Sequence, residues 1–209
     1  MGPALLQLAQ TRELTVPRKL GVQGPLVELA KATGETAHVT VLSGNIVYPL
    51  TSVESPNHSI RAIMDNHAFP LHATASGLSA LAFGPEILQD IALNDMPSFT
   101  PNTVTTQQDL LDNIRLTRAT GFGMANGSFE SEIQGVAAPV FDQTGLFAGS
   151  VSVASVATRF TPTLARCVNQ NLILASREIT RNWGGHIPNF IEAAWATTFS
   201  PSNELEAAS

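Results

Sequence analysis

At 209 residues the chain suits one large domain with appendages, and about 70% of its unfolded surface would be hidden on folding, so stability requires neither metal nor disulfide. Only 13% of residues are charged and 44% are hydrophobic, which excludes a disordered chain, while the longest apolar runs (77–83 and 136–140) fall far short of a membrane span. Eleven Lys and Arg against seventeen Asp and Glu leave a net charge of -6, the wrong sign for this chain alone to hold a phosphate backbone tightly.

In chain order, Ala4, Leu5, Leu6, Leu8 and Ala9 read as the last turns of a helix that opens without an N-cap of its own. Thr15 suits the N-cap of a second helix carrying Val16, Leu20, Leu26, Leu29 and Ala30. Gly21, Gly24 and Pro25 should break or kink it, and Gly34 should close it. Alternation of Ala37, Val39 and Val41 with Thr36, His38 and Thr40 predicts a strand, which Ser43-Gly44-Asn45 turns into a second over 46–53. After a loop at 54–57, residues 59–64 read as a third strand.

Small and apolar residues over 74–83 suit a buried helix, interrupted at Gly84-Pro85 and continued to about residue 93. A loop over 94–103 precedes Thr105 and Gln108, which resemble a capping box for a helix ending at Gly121. Residues 122–124 predict a short strand and 133–141 a longer one, which Asp142-Gln143-Thr144-Gly145 returns antiparallel over 146–155. Thr161 and Pro162 suit the N-cap and N1 of a long helix closing near Gly184-Gly185; the tail, 186–209, has one helical stretch around 190–197. Paired strands alternating with helices, without regular strand-helix-strand units, describe an α+β domain with a largely antiparallel sheet.

The most informative strand is 146–155, where Val151 and Val153 form a core face while Ser150, Ser152 and Ala154 leave the other face shallow and partly polar. Either a helix packs closely there or a ligand has room; Gly135, Ala137 and Pro139 repeat the pattern next door and strengthen the case for a cavity. The segment 71–77 leads into a helix whose first N–H groups attract carboxylate or phosphate, with Thr74 or Ser76 able to add a hydroxyl; an ordinary N-cap explains the same residues.

Other chemistry finds little support. His67 and His72 are five apart and His38, His58 and His186 are scattered, so no metal site is expected. The lone Cys167 excludes an intramolecular disulfide and any Cys-based zinc site. There is no GxSxG, and a hydrolytic reading would have to rest on His72 with Ser76. Gly121-Phe122-Gly123 is too short for a dinucleotide loop, so no cofactor is expected. With no basic segment and signal-like apolar run after Met1-Gly2-Pro3, the expected address is the cytoplasm.

Several segments together resemble the effector-binding domain of IclR-type bacterial transcription regulators. They are Gly2-Pro3-Ala4-Leu5-Leu6, residues 26–41, Val53-Glu54-Ser55-Pro56, residues 70–77, Gly121-Phe122, residues 136–142 leading through Gly145 to 150–154, and Arg159-Phe160-Thr161. The resemblance implies a GAF-like domain over 15–185, preceded at 1–14 by the end of a linker helix and followed by the tail 186–209. A winged helix-turn-helix upstream of this chain would carry operator binding. The implied partners are a small organic acid or aromatic catabolite and further copies of the chain, as homodimer or tetramer, with no enzyme activity.

By the same resemblance the effector contacts fall on Ala75 and Ser76, on a loop at Ala125 and Asn126, and on strand positions Gly135, Ser152 and Ala154. Apolar walls come from Ile63, Met64, Phe69 and Ile133. Regulators of glyoxylate metabolism carry an acidic residue, a cysteine and a second serine where this chain has Ala125, Gly135 and Ala154, which implies a wider, less polar pocket and a larger or more apolar ligand. The competing readings are a GAF-like oligomerisation module without ligand and a small hydrolase using His72 and Ser76.

Overall fold

In the computed structural model, residues 18–59, 62 and 68–199 are described. The expected first helix, the Thr15 cap, His67 and most of the expected strand over 59–64 lie outside them. Helix α1 (Arg18–Thr33) leads to the hairpin β1 (Thr36–Ser43) and β2 (Ile46–Val53). Helices α2 (Ala75–Phe83), α3 (Ile87–Asn94) and α4 (Gln107–Thr120) follow, then β3 (Gly123–Asn126), β4 (Ile133–Phe141) and β5 (Phe147–Val156). A short 3-10 turn, α5 (Pro162–Asn182) and α6 (Asn189–Thr198) complete the chain as described. All strand pairs are antiparallel, in the order β2-β1-β5-β4-β3, giving the expected α+β architecture.

Helix α1 continues through Pro25, so the chain is not broken there. Proline has no N–H for the carbonyl four residues back, and here the Asn182 side chain supplies the missing donor, its Nδ2 lying 2.8 Å from the Gly21 oxygen. The capping motif of α4 sits one residue later than expected. Thr106 Oγ1 accepts from the Asp109 N–H at 3.2 Å and donates to its carboxylate at 2.6 Å, because the same Thr-x-x-polar spacing recurs there with an acid in place of the amide. Gly121 ends this helix at φ 78°, a left-handed conformation that glycine adopts without side-chain strain.

The two faces of the sheet differ in chemistry. On one, Val136, Ala138 and Val140 of β4 and Val151 and Val153 of β5 are buried in the hydrophobic core with α1 and α5. On the other, Thr36, His38, Thr40, Ser150, Ser152 and Ala154 are buried beneath α2 and its flanking segments. Both prolines in strands sit where the sheet tolerates a missing N–H. Pro49 lies on edge strand β2 at a register irregularity, and Pro139 lies beyond the stretch of β4 that β3 pairs.

Two ion pairs tie the layers. Arg159, just after β5, grips the almost fully buried Glu35 through Nε and Nη2 at 2.8 and 2.7 Å, and Arg177 of α5 bonds Glu192 of α6 at 2.9 Å. Residues 186–199, expected as part of a tail, supply α6, whose Ile191 and Trp195 are buried in the core. No described helix is long and apolar enough to cross a membrane.

Candidate functional site

The polar face of the sheet and the start of α2 meet around a mostly apolar cavity of about 170 Å³. Its floor follows the strand register. Ala125, Gly135 and Ala154 are successive partners across β3, β4 and β5, while Ser152 partners His38 across β5 and β1. At about 4.8 Å per strand, the span from β3 to β1 is about 14 Å. Small side chains keep this floor low: a Cβ added at Gly135 would stand 3.3 Å from that of Ala75 on the helix above. The small-residue face therefore does both things expected of it, seating a helix closely and leaving a cavity beside it.

One wall is the entry to α2. Thr74 caps the helix, its Oγ1 accepting from the Gly77 N–H at 3.0 Å and donating to the Pro70 carbonyl at 2.9 Å. That hydroxyl is committed to the fold. Gly77 permits the tight entry, since a Cβ there would meet the Pro70 and Leu71 carbonyl oxygens at 2.5 Å. The first intrahelical bond is from the Leu78 N–H to the Thr74 carbonyl, so the N–H groups of Ala75 and Ser76 precede the hydrogen-bonded ladder. Ser76 Oγ lies 2.7 Å from Ser152 Oγ. One hydrogen bond between two hydroxyls uses one proton, leaving the second O–H free to donate.

The remaining walls are largely apolar. Phe69 bridges to Val47 of β2 and lies flat on His38, ring centroids 5.6 Å apart and planes 8° from parallel. Opposite, Ile133 and the β3–β4 connection contribute Ser128, Phe129 and Glu130. That connection is pinned by Thr100 Oγ1 donating to the Gly127 carbonyl and Thr103 Oγ1 to the Ser128 carbonyl, each at 2.6 Å. Phe129 packs edge-on against Phe99 at 5.0 Å.

His38 is 5% exposed, and its Nδ1 has no hydrogen-bond partner. Burial pushes its pKa down to about 4, so the imidazole is neutral at neutral pH. Glu130 is the one carboxylate among the described lining residues.

His72 and Ser76 do not form a catalytic pair. His72 Nε2 is 2.9 Å from the Pro97 carbonyl oxygen and its ring lies against Phe99, whereas Ser76 is turned to Ser152. Among the described residues no group of three or more His, Cys, Asp or Glu side chains is placed to hold a metal.

Residues 20–181 match the family profile described as "Bacterial transcriptional regulator IclR C-terminal". The chain belongs to the IclR family. The matched region is that family's C-terminal, effector-binding domain. Among curated relatives, the regulator BhcR of Paracoccus denitrificans is 29% identical over 74% of this chain and 56% of its own length. The glycerol operon regulatory protein of Streptomyces griseus is 30% identical over 65% of this chain and 53% of its own. The chain thus spans about half the length of these relatives. Among solved structures, an IclR-type protein from Silicibacter sp. TM1040 superposes with a TM-score of 0.86 at 32% identity, covering 91% of this chain and 76% of that one. An IclR homologue from Microbacterium hydrocarbonoxydans, complexed with 4-hydroxybenzoate, shares the fold at a TM-score of 0.74 and 21% identity, covering 88% and 75%.

Of the residues that the IclR resemblance singles out, Ala75, Ser76, Ala125, Gly135, Ser152, Ala154, Phe69 and Ile133 all border the cavity. Ile63 and Met64 lie outside the described residues. Asn126 does not border it. Ala125 and Asn126 belong to strand β3, not to a loop, and alternation in a strand turns the exposed Asn126 away from the face that Ala125 shares. Sequence reasoning missed His38 and Phe129 as lining residues. Alternation alone did not mark His38: it sits in the polar half of its strand, a half that is buried only because the fold covers that face.

Proposed function

We propose that this domain senses a small organic anion, with a one-ring aromatic acid as the best fit. The observation that carries the reading is a mostly apolar cavity bordered by Ala75, Ser76 and Ser152, residues that carry two helix-start N–H groups outside the helical ladder and a spare serine O–H. A carboxylate suits such donors, because a helix start carries partial positive charge. An apolar cavity of about 150 Å³ takes a benzene ring, so the volume of about 170 Å³ suits a single ring better than a fused or extended ligand. The 4-hydroxybenzoate bound by the Microbacterium homologue is a ligand of this class.

In this reading the bound acid contacts Ala75, Ser76 and Ser152 with its charged end and the apolar walls with its ring. It selects one arrangement of subunits in a homodimer or tetramer, and a winged helix-turn-helix outside this chain carries the change to operator DNA. A ligand shifts such a balance only by its difference in affinity for the two arrangements. The domain therefore acts as a sensor in the cytoplasm, without turnover.

The test is a thermal-shift and calorimetric screen of short aliphatic and one-ring aromatic carboxylates. A ligand at 100 times its dissociation constant stabilises the folded state by about 2.7 kcal/mol. The expected result is a saturable shift for at least one aromatic acid; no shift across the panel would favour a module used for oligomerisation alone.

A further inference from the structure

We propose that His38 sets ligand specificity in this cavity by hydrogen-bonding a ring hydroxyl of the bound acid. The inference rests on the sensor reading above and adds to it which acid is chosen.

The covered face of the sheet satisfies its other side-chain hydroxyls internally. Thr36 Oγ1 donates to the Ala62 carbonyl at 2.9 Å, Thr40 Oγ1 and Ser150 Oγ are 2.8 Å apart, and Ser76 and Ser152 pair at 2.7 Å. His38, in the middle of that face and 5% exposed, has an Nδ1 with no partner. An orphaned buried N–H costs more than an orphaned acceptor, which favours the ring proton on Nε2, and among the described residues His38 is the one with an unpartnered buried nitrogen that also borders the cavity.

Its geometry decides what it can offer. Nδ1 has almost no accessible surface of its own, so with the ring parallel to Phe69 it is the Nε2 end of the ring edge that is left for a ligand. With its pKa held near 4 by burial, the ring supplies a neutral partner and not a counter-charge for the carboxylate. A neutral imidazole has one donor and one acceptor nitrogen, and a hydroxyl complements either.

Position gives the rest. His38 is the cross-strand partner of Ser152, which is bonded to Ser76 at the helix start. An acid whose carboxylate sits at the helix start therefore has its ring over Ser152 and a ring substituent within reach of β1. Unsubstituted rings would leave His38 unpaired, and sites built to bond a hydroxyl discriminate strongly against analogues lacking it.

The probes are benzoate and its 2-, 3- and 4-hydroxy isomers, titrated calorimetrically into the wild-type chain, His38→Leu and His38→Gln. In the wild type one isomer should bind about tenfold or more tighter than benzoate. His38→Leu should abolish that ratio, bringing the preferred isomer to the level of benzoate in the same variant, and His38→Gln should restore part of it. Should His38→Leu fail to fold, the ¹⁵N signals of the wild-type His38 ring serve instead: the preferred isomer should move them and benzoate should not. Equal affinity for benzoate and all three isomers, or a preference that survives in His38→Leu, overturns the assignment while leaving the sensor reading intact. Binding of none of the four overturns the assignment and the choice of an aromatic acid with it, while the broader sensor reading falls only if the aliphatic acids of the thermal-shift panel fail as well.

Discussion

Ser76 at the start of α2 and Ser152 on β5 are joined hydroxyl to hydroxyl at 2.7 Å, and both are almost fully buried. This contact fixes the height of the helix start above the sheet and so the depth of the cavity beside it. Replacing Ser152 with Ala strands the Ser76 hydroxyl, at a cost of about 1–3 kcal/mol. Urea denaturation of both single variants and the double variant should give a coupling energy of about 0.5–3 kcal/mol. Strictly additive losses would mean that the pair is not a working contact.

Gly135 separates the floor of the cavity from Ala75 by very little, the distance from its missing Cβ to that of Ala75 being 3.3 Å. Gly135→Val puts branched carbon into that gap, where overpacking costs about 1–3 kcal/mol. The more telling effect is on binding. In a calorimetric titration the variant should lose at least about tenfold in affinity for whichever acid the wild type binds, because one lost order of magnitude corresponds to only about 1.4 kcal/mol. Retained affinity would move the ligand away from the β4 floor.

Much of this architecture is legible in the sequence, because local rules and tertiary packing agree there. Thr161-Pro162 opens α5 and Gly121 closes α4 as cap chemistry dictates, and alternation marks β1, β4 and β5. The failures are tertiary. Nothing near Pro25 announces that Asn182, 157 positions on, satisfies the carbonyl that the proline abandons. Likewise, the polar half of β1 looks solvent-facing until β1 is known to be an inner strand with Ala62 and Phe69 packed on that face. His38 was hidden by that ambiguity, and Asn126 was misplaced because a four-residue strand reads as a loop.

His38 also gives the fold an acid-sensitive point. Its pKa falls from 6.5 to about 4 on burial, so below pH 6.5 the unfolded chain takes up the proton first and stability declines until the folded form also protonates. The stability is complete above pH 6.5 and lost as the pH drops toward 4, by about 3 kcal/mol at most. Chemical denaturation from pH 7 to 4 should show this slope in the wild type and a shallower one in His38→Gln; identical slopes would mean that the ring is not buried neutral.

Arg159 and Glu35 form a partly buried ion pair, with two hydrogen bonds at 2.8 and 2.7 Å to a carboxylate whose residue is 1% exposed. The pairing holds the Arg159 pKa above its ordinary value. Arg159→Ala leaves a buried carboxylate without its main partner, a change that costs about 3–5 kcal/mol. Arg159→Ala combined with Glu35→Gln should recover part of that loss in urea melts, since the uncompensated charge is then gone.

Trp195 anchors α6, which lies beyond the 20–181 family match. Its indole is 1% exposed, Nε1 donates to the Gly121 carbonyl at 3.2 Å, the ring packs against Phe122 with centroids 6.2 Å apart, and the Arg177 guanidinium sits over it at 5.8 Å. Gly121 and Phe122 lead directly into β3, which carries Ala125 to the cavity, so the helix braces one end of the binding floor from behind. Trp195→Ala removes a large buried ring and should cost about 3–5 kcal/mol. Because β3 depends on that brace, hydrogen exchange should also quicken at the amides of residues 123–126 more than at those of β1. Unchanged protection of β3 in a destabilised but folded variant would show that α6 supports the core without positioning the site.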